Sequence, residues 1–379
     1  MKKIIVNVVM ICLSLVASAQ DSTSTVGKLK EETKTVGKKD STKSPGKLTI
    51  SGYAEIYYGF DFNRPPNNNR PEFVYSHNRH NEVNLNLGFI KANYESSQVR
   101  ANLALMAGTY ANANLAAEPG VLKNIFEANV GVKVSKTANL WVDAGIFSSH
   151  IGFESAISKD DWTVTRNILS DNTPYYESGA KLTYTTKDNK LTLVGLYLNG
   201  WQRINRQSGN SQPAGGLQAT WKPNEKVTLN YSNYLGTEGA DSIRVRRFYN
   251  DFYGIFQLTK SFGITAGFDY GIQQETKGSS NYYQVFLPVA LARYQFSDQW
   301  AVAGRIEYYQ DKNNVLIATN APNGFKTSGY SANVDYKPVE NAIIRLEGKL
   351  YDSQDAIFTR MGKPVKTSPL ITASFAVSF

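Results

Sequence analysis

Cysteine is almost absent from the 379-residue sequence: its one copy, Cys12, lies in an apolar N-terminal stretch. From Gln20 onward the chain has none, which excludes disulfides, thiolate metal sites and a cysteine nucleophile from that part. Histidine is nearly as scarce, with three copies. Neither a phosphate-binding glycine loop nor a nucleophile elbow is present. These absences remove most of the side-chain sets on which enzymes and metalloproteins depend.

Long apolar runs are also missing. The longest such segment, Ile4 to Val16, follows two lysines and precedes the small residues Ala17-Ser18-Ala19. This order predicts a secretory signal peptide over residues 1–19. The apolar part is too short to be a good membrane-spanning helix, although a retained N-terminal anchor is the alternative.

Charge is diluted and aromatic residues are plentiful. Charged residues make up 19% of the chain, with a net charge of +9, beside 23 Tyr, 18 Phe and 29 Gly. A basic balance is compatible with nucleic-acid binding, but no nucleic-acid motif is present and an export signal argues against it. Tyrosine and glycine at this level favour an all-β protein with aromatic belts over a helical enzyme.

Residues 20–46 differ from the rest of the chain. They are rich in Lys, Thr, Ser and Gly and contain no aromatic residue. Such a segment buries too little apolar surface to order itself, so we predict a short disordered periplasmic linker. A basic tether that touches an anionic surface is the alternative.

From Leu48 to the end, segments of about ten residues alternate apolar and polar side chains, which is typical of β-strands with one apolar face. In the first segment, Leu48, Ile50 and Ile56 share one face while Glu55 and Asp61 share the other. Pro288 predicts a bulge or a shift of face in its strand. We count about sixteen strands, which begin near Leu48, Glu82, Val99, Ile125, Leu140, Tyr176, Leu191, Gly216, Val227, Arg247, Phe262, Tyr282, Trp300, Thr327, Ala342 and Pro369.

Short turns and longer polar links alternate between these strands, as "TKDNK" and "FSDQ" do with residues 63–81 and 149–175. In hydrocarbon each unsatisfied backbone group costs several kcal/mol, so a sheet that enters a membrane must close on itself. An even strand number with short turns at one end and long loops at the other predicts a transmembrane antiparallel up-and-down β-barrel over residues 47–379. A soluble β-sandwich or solenoid is the alternative.

The stretches "SGYAEIYYGFDF" and "HIGFESAISKDDWTVTRNILSDNTPYYESGAKLTY", which start at Ser51 and His150, resemble the OmpL-like β-barrel porin family. The similarity covers most of the chain from Leu48. The resemblance implies a channel in a Gram-negative outer membrane. The alternating residues Phe375, Val377 and Phe379 also resemble the C-terminal recognition signal of outer-membrane barrels, which implies the outer-membrane assembly machinery as a partner.

A barrel of about sixteen strands is too wide for side chains to fill, so an aqueous lumen is expected inside it. Rings of charge select ions in pores, and the polar faces of the strands supply such charges. An equal alternative is that these charges pair with neighbours on the same wall. The predicted pore-lining residues are Glu55, Arg305, Glu307, Arg345, Glu347 and Lys349.

The longest link, residues 149–175, is the third of the long loops, and loops of more than about fifteen residues are usually functional or disordered. Its similarity to the third long loop of porins of this size implies that it folds inward and narrows the bore. A surface lid and a disordered loop are the alternatives. The predicted constriction residues are Glu154, Lys159, Asp160, Asp161, Arg166 and Asp171.

Two further groups of residues have open interpretations. Arg244, Arg246 and Arg247 form the densest basic run of the predicted barrel. Three interpretations are open: attraction of anions, binding of acidic groups of surface glycolipid, and an ordinary solvated loop. His77, His80 and His150 all lie in predicted loops, and we interpret them as ordinary surface histidines. His77 and His80 are three residues apart, which is weak support for the alternative of a metal site without a third ligand, and catalysis has less support.

The sequence therefore predicts a porin for passive diffusion of small hydrophilic solutes and ions, located in the outer membrane and in contact with lipid and surface glycolipid. No enzyme activity, cofactor, metal or nucleic-acid partner is expected. A homotrimer is the usual assembly of porins. The alternatives are a non-conducting barrel for adhesion or envelope anchoring and, with less support, a hydrolase with its site at the barrel rim.

Overall fold

The computed structural model describes residues 46–379, so the predicted signal peptide at 1–19 and all of the predicted linker except Gly46 lie outside the described residues. Sixteen long strands form one closed barrel in which every neighbouring pair is antiparallel. They are β1 (Lys47–Asp61), β2 (Val83–Glu95), β3 (Val99–Ala107), β4 (Ile125–Lys133), β5 (Asn139–Ser148), β6 (Tyr176–Thr185), β7 (Leu191–Leu198), β8 (Ala214–Asn224), β9 (Val227–Glu238), β10 (Val245–Gln257), β11 (Phe262–Gln274), β12 (Tyr282–Gln295), β13 (Trp300–Asp311), β14 (Phe325–Val339), β15 (Ala342–Ser353) and β18 (Thr367–Ser378).

The remaining elements are small and lie in the long loops. A two-stranded hairpin consists of β16 (Phe358–Arg360) and β17 (Lys363–Val365). The helices are α1 (Thr109–Asn114), α2 (Ile168–Asp171) and two 3-10 turns, Gly120–Asn124 and Ser158–Asp160. Within residues 46–379, no helix has the length and apolar character needed to cross a membrane.

The strands follow one another around the barrel in chain order, and β1 closes the ring by pairing with both β2 and β18. Each of the sixteen predicted strand starts lies within two residues of the observed start. The predicted all-β barrel is therefore confirmed, and the sandwich and solenoid alternatives are wrong. The prediction succeeded because a strand with one lipid face must alternate its side chains with period two.

Side chains alternate across the wall as the sequence predicts. On β1, Leu48 and Ile50 point outward and are 63% and 57% exposed, whereas Glu55 and Asp61 point inward and are buried. Outward apolar residues of this kind recur on every side of the barrel, for example Val130, Leu217 and Ile306. The outer surface is thus an apolar belt that suits hydrocarbon.

The prediction for Pro288 is wrong, because β12 pairs with β11 and β13 in one continuous register on both sides of this residue. Pro288 lies on the outward face, and the ladder to β13 only lacks the pairs at 287 and 288. The reason is that a missing N–H removes hydrogen bonds without forcing an extra residue into the strand. The inward face of β12 consequently keeps its own pattern, which is apolar: Val285, Leu287, Val289 and Leu291.

Eight long loops lie at one end of the barrel and seven short turns at the other, as predicted. We number the long loops L1 (62–82), L2 (108–124), L3 (149–175), L4 (199–213), L5 (239–244), L6 (275–281), L7 (312–324) and L8 (354–366). Phe379 lies at the short-turn end, where its backbone exchanges hydrogen bonds of 2.8 and 3.0 Å with Gly52.

Candidate functional site

L3 runs through the interior of the barrel to the wall opposite its own strands. It connects β5 to β6, yet its hydrogen bonds reach β13, β14 and β15, which lie on the other side of the ring. The backbone N–H and the hydroxyl of Thr165 both donate to the Glu347 carboxylate, at 2.6 and 2.7 Å. L3 is therefore fixed at both sides of the lumen.

The wall that receives L3 is a network of buried charges. Strand register turns Arg305, Glu307, Arg345, Glu347 and Lys349 inward from β13 and β15. Arg305 pairs with Glu347 at 3.2 Å, and Lys349 pairs with Glu307 at 2.9 Å. Pairing along the wall, which the sequence left open, is thus present in the structure.

The cations of this wall bind L3 mainly through its backbone carbonyls. Arg305 donates to the Thr165 carbonyl at 2.7 Å, Arg345 to the Ser158 carbonyl at 2.7 Å, and Lys349 to the Arg166 carbonyl at 2.8 Å. The one direct cation–carboxylate contact between wall and loop joins Arg305 to Glu154 at 3.4 Å, within the described part of the chain. These five wall residues are covered by L3 and do not face open water.

Inside L3, three of the predicted constriction residues hold the loop in shape. Glu154 accepts a hydrogen bond from the Asn167 backbone at 2.8 Å, and Asp161 accepts one from the Ser155 backbone at 2.7 Å. The fully buried Arg166 lies 3.4 Å from Asp161. Burial raises the pKa of Asp161 well above its usual range, and the Arg166 guanidinium opposes that rise. These groups stabilise the folded loop rather than line its surface.

The other three predicted loop residues have different environments. Asp171 is buried in α2, and burial raises the pKa of its carboxyl to about 6 although Arg166 and Lys349 oppose the rise. Lys159 and Asp160 pair with each other at 3.2 Å at the tip of L3, and the Asp160 side chain is 50% exposed. The neighbouring Ser158 carbonyl contacts Arg345, which places this tip near the short-turn end of the barrel. Lys159 and Asp160 are thus the members of the predicted set that water reaches.

Apolar packing adds a second attachment of L3, which the sequence analysis missed. Phe153 and Trp162 pack against an apolar cluster that contains Ile151 and the buried inward residues of β12. The sequence does contain a pattern that indicates this contact: apolar residues occupy every second position of β12, at Val285, Leu287, Val289 and Leu291. The interpretation of Pro288 as a shift of face concealed it.

Glu55 and the three histidines attach loops to the barrel. The prediction of surface histidines is wrong, because all three are buried by their hydrogen-bonded contacts. Glu55 lies 3.1 Å from Nε2 of His77 in L1 and accepts a hydrogen bond from Asn86 at 2.8 Å, so it is covered by L1. Nδ1 of His80 accepts from the Asp61 backbone at 2.9 Å. Across residues 46–379, no three His, Cys, Asp or Glu side chains are grouped as a metal site requires.

His150 secures the base of L3. Its Nδ1 lies 2.8 Å from the Glu177 carboxylate and its Nε2 lies 2.8 Å from the Asn233 carbonyl. The Asn233 carbonyl can only accept a hydrogen bond, so Nε2 donates to it, and Nδ1 shares a proton with the Glu177 carboxylate. Burial lowers the pKa of His150, but Glu177 outweighs this and the net shift is upward.

Inward-facing charges that remain partly exposed lie on β2 to β6, away from the L3 contact with β13–β15. Lys91 pairs with Glu127 at 2.6 Å, and Arg100 pairs with Asp143. Lys91 and Arg100 keep about a quarter of their side chains exposed. The sequence analysis missed Lys91 and Glu127.

Two cavities at the long-loop end lie next to L3. One of about 1000 Å³ lies between L1, L7 and L8 and is lined by prolines, asparagines and the aromatic residues Phe73, Tyr75 and Phe358. A second of about 300 Å³ is lined by Asp171, Trp201, Arg203 and Arg247. The two share Tyr75, Asn172 and Leu316, so together they form one mouth above L3.

The family model described as "Putative beta-barrel porin-2, OmpL-like" matches residues 47–379. The chain belongs to this porin family. Its membership gives the barrel a channel role and places it in the outer membrane of a Gram-negative cell, with the apolar belt in contact with lipid. No curated protein matches the chain in sequence.

Solved outer-membrane barrels share this fold at low sequence identity. OmpT of Vibrio cholerae, in a trimer form, is 11% identical with a TM-score of 0.57, covering 89% of this chain and 100% of its own. An anion-selective porin from Comamonas acidovorans is 7% identical with a TM-score of 0.58, covering 88% and 100%. The outer membrane channel DcaP of Acinetobacter baumannii is 10% identical with a TM-score of 0.57, covering 88% and 97%. At these identities the likeness concerns the fold.

Proposed function

We propose that this barrel conducts small hydrophilic solutes and ions by passive diffusion across the outer membrane, with L3 as its constriction. The observation that carries the proposal is the attachment of L3 to the opposite wall through Thr165 and Glu347. A segment fixed across the lumen narrows the space that a sixteen-strand barrel otherwise leaves open. Concentration and membrane potential drive the flow, and no chemical step is involved.

In this proposal solutes enter at the mouth between the long loops, pass L3, and leave along the charged surface of β2–β6. Lys159 and Asp160 at the tip of L3 and Lys91, Arg100 and Glu127 on the wall supply the charges along this route. Charges of both signs that face water in a narrow pore orient and sort ions. Mixed signs favour weak selectivity over strong preference for anions or cations.

A non-conducting barrel for adhesion or envelope anchoring is the second candidate, and the burial of the wall favours it. Arg345 and Glu347 are buried under L3, and Glu55 and His77 are buried at the L1 contact. If L3 and L1 together seal the lumen, the long loops and their mouth cavity would act as a binding surface instead.

We also propose a homotrimer and recognition of Phe375, Val377 and Phe379 by the outer-membrane assembly machinery. The trimer form of the Vibrio cholerae OmpT barrel supports the first, and the alternating aromatic pattern of β18 supports the second. Sedimentation of the refolded protein in detergent tests the oligomer. The signal peptide at 1–19 and the linker at 20–46 remain predictions, tested by N-terminal sequencing of the exported protein.

Single-channel recording in a planar bilayer tests the diffusion pore. Refolded residues 20–379 are compared with a variant in which a four-residue Gly-Ser linker replaces residues 154–172. We expect stable open steps from the unmodified protein, and steps several-fold larger from the shortened variant, because conductance rises with the cross-section of the narrowest part.

The matched control neutralises the exposed pair, Lys159→Gln with Asp160→Asn, and leaves the length of L3 unchanged. It should alter ion preference more than step size. Steps of equal size with and without the central part of L3 would remove its role as the constriction. A folded barrel with no steps in either form would contradict the pore and favour the non-conducting barrel.

A further inference from the structure

A groove of about 580 Å³ lies at the rim of the barrel, beside L5 and L6, and has no part in the proposed diffusion route. We call it the rim groove. It carries three cationic side chains among polar and aromatic neighbours. Its lining residues are Gln212, Thr237, Arg244, Arg246, Gln274, Lys277, Gly278, Ser279, Ser280 and Tyr282.

The rim groove opens to the outside of the barrel. Arg247 points inward, where it pairs with Glu238 at 3.4 Å and lies over the ring of Trp201. Successive side chains of a strand point to opposite faces, so the adjacent Arg246 points outward. Tyr282 at the start of β12 is likewise exposed. The basic run noted in the sequence is thus divided between two surfaces of the wall.

Positive charge dominates this groove. Arg244 pairs with Asp241 at 2.8 Å, and the Lys277 ammonium donates to the Asp241 carbonyl at 2.7 Å. Arg246 is exposed, and its guanidinium has neither an ion pair nor a hydrogen bond with any residue in 46–379. It is therefore accessible to a ligand. The lining of this concave surface thus has three cations and no carboxylate, with hydroxyl groups from Ser279 and Ser280. Asp241 and Glu275 are the neighbouring acidic residues in L5 and L6.

The position of the groove matches the headgroup layer of the outer leaflet. Long loops of outer-membrane barrels face the outside of the cell, and the rim groove lies at that end. Below it the outward face continues with the apolar residues Phe252 on β10 and Phe286 on β12, which are 44% and 39% exposed. A ligand in the groove can therefore keep acyl chains on the apolar belt.

We infer that the rim groove binds the phosphate groups of a glycolipid of the outer leaflet. Arginine matches phosphate oxygens with two parallel N–H donors, and lysine adds a point charge. Arg246 supplies a free fork, Lys277 an exposed ammonium, and Phe252 and Phe286 a surface for the lipid chains. The inference is independent of conduction, since a sealed barrel carries the same groove.

Native mass spectrometry of the refolded protein in detergent micelles, titrated with bisphosphorylated lipid A, measures this binding. The double variant Arg246→Gln with Lys277→Gln removes two cations. Each cation near a lipid phosphate contributes about five-fold in affinity, so we expect binding about 25-fold weaker. The matched control, Lys222→Gln with Lys226→Gln, removes two exposed cations at the short-turn end and should leave the affinity unchanged.

Two further arms identify the source of the phosphate. Lipid A without its phosphates should bind at least 25-fold more weakly than the bisphosphorylated form. Inorganic phosphate at a matched concentration should not displace the lipid, and displacement would replace a lipid site by a free-phosphate site. Equal affinity of the double variant and its control, with both running as folded barrels on unheated gels, would overturn the assignment of the groove.

Discussion

Asp160 and Asp161 are adjacent in the sequence and chemically identical, yet the fold gives them opposite environments. Asp160 is half exposed beside Lys159, whereas Asp161 is buried, accepts a hydrogen bond from Ser155 and lies next to Arg166. The sequence predicted both as constriction residues, because composition shows which residue types the loop carries. It does not show the turn at Ser158–Asp160 that separates them.

The wall cations show the same limit. Arg305, Arg345 and Lys349 were predicted to line an open pore, but L3 covers them, and each binds a carbonyl of the loop backbone. Arg305 also contacts Glu154, at 3.4 Å. Because every residue has a backbone carbonyl, the pattern of side chains does not show which carbonyl a given cation binds. The sequence predicts which face of a strand a charged side chain lies on, but it does not predict which group that side chain binds.

Substitution of Glu347 tests the attachment at residue level. Glu347→Gln keeps the shape but removes the charge that pairs with Arg305 and accepts two hydrogen bonds from Thr165. We expect L3 docking to weaken by about 2 kcal/mol, because hydrogen bonds to a charged group are replaced by weaker ones. Trypsin cleavage after the buried Arg166 of the folded barrel should accelerate at least ten-fold.

Glu340→Gln, an exposed change in the turn between β14 and β15, is the control and should leave the cleavage rate unchanged. Equal rates for the unmodified protein and Glu347→Gln would show that this carboxylate does not hold the loop.

Asp171 gives L3 a pH dependence. Its pKa is raised to about 6 in the folded loop, against an ordinary value near 3.8, so the folded loop holds the proton more tightly than the open one. The contribution of Asp171 to docking is therefore complete below about pH 4 and is lost as the pH rises to 6, by about 3 kcal/mol in total. Hydrogen exchange of the amides of α2, corrected for intrinsic rates, measures this change.

Asp171→Asn cannot ionise at this position, so its amides should exchange more slowly than those of the unmodified protein at pH 7.5 and should lose the part of the change in docking between pH 4 and 6 that Asp171 contributes. An unaltered pH profile in this variant would assign the dependence to another group.

At the scale of the element, L3 makes two kinds of contact, of which only one could be predicted from the sequence. Its polar attachment to β13–β15 depends on loop geometry, but its apolar attachment to β12 follows from an alternating pattern already present in the strand. A barrel strand with apolar residues on both faces must be shielded from water on both. Lipid covers the outward face, and a loop covers the inward face. "YYQVFLPVALARY" was such a strand, so an inward-folded loop was predictable from it.

Leu287→Ala tests this apolar contact. Leu287 is fully buried on the inward face of β12, so truncation leaves a cavity and should cost about 2–5 kcal/mol. Chemical denaturation followed by tryptophan fluorescence should show a lower midpoint. Leu217→Ala on the outward face, where the side chain is 59% exposed, should lower it much less. Equal shifts for the two variants would contradict packing at this inward face.

At the scale of the whole molecule, the barrel was predictable because a lipid face, an aqueous face and closure each impose a simple rule. Period-two alternation located the strands, and the sequence of turn lengths assigned the two ends. How far the loops fill the lumen was not predictable from these rules. Glu55 was predicted to line the pore, but L1 covers it through His77, and only the folded loop shows this.

Phe379→Ala tests the proposed assembly signal. The ring is 74% exposed, and the hydrogen bonds to Gly52 come from the backbone, so refolding into detergent micelles should be little affected. The amount inserted in the outer membrane of expressing cells should fall several-fold. Phe296→Ala, an exposed aromatic at the same end, is the control. Equal insertion of both variants would remove the signal from Phe379.

The most direct test of the central claim is the single-channel current of Asp160→Cys before and after reaction with a charged methanethiosulfonate reagent. The chain has no cysteine after residue 12, so this thiol is unique in residues 20–379. We predict open steps that shrink on modification, while the same reaction at Glu225→Cys, exposed in a short turn, leaves them unchanged. Steps that survive complete modification of residue 160, or no steps at all, would contradict a diffusion pore constricted by L3.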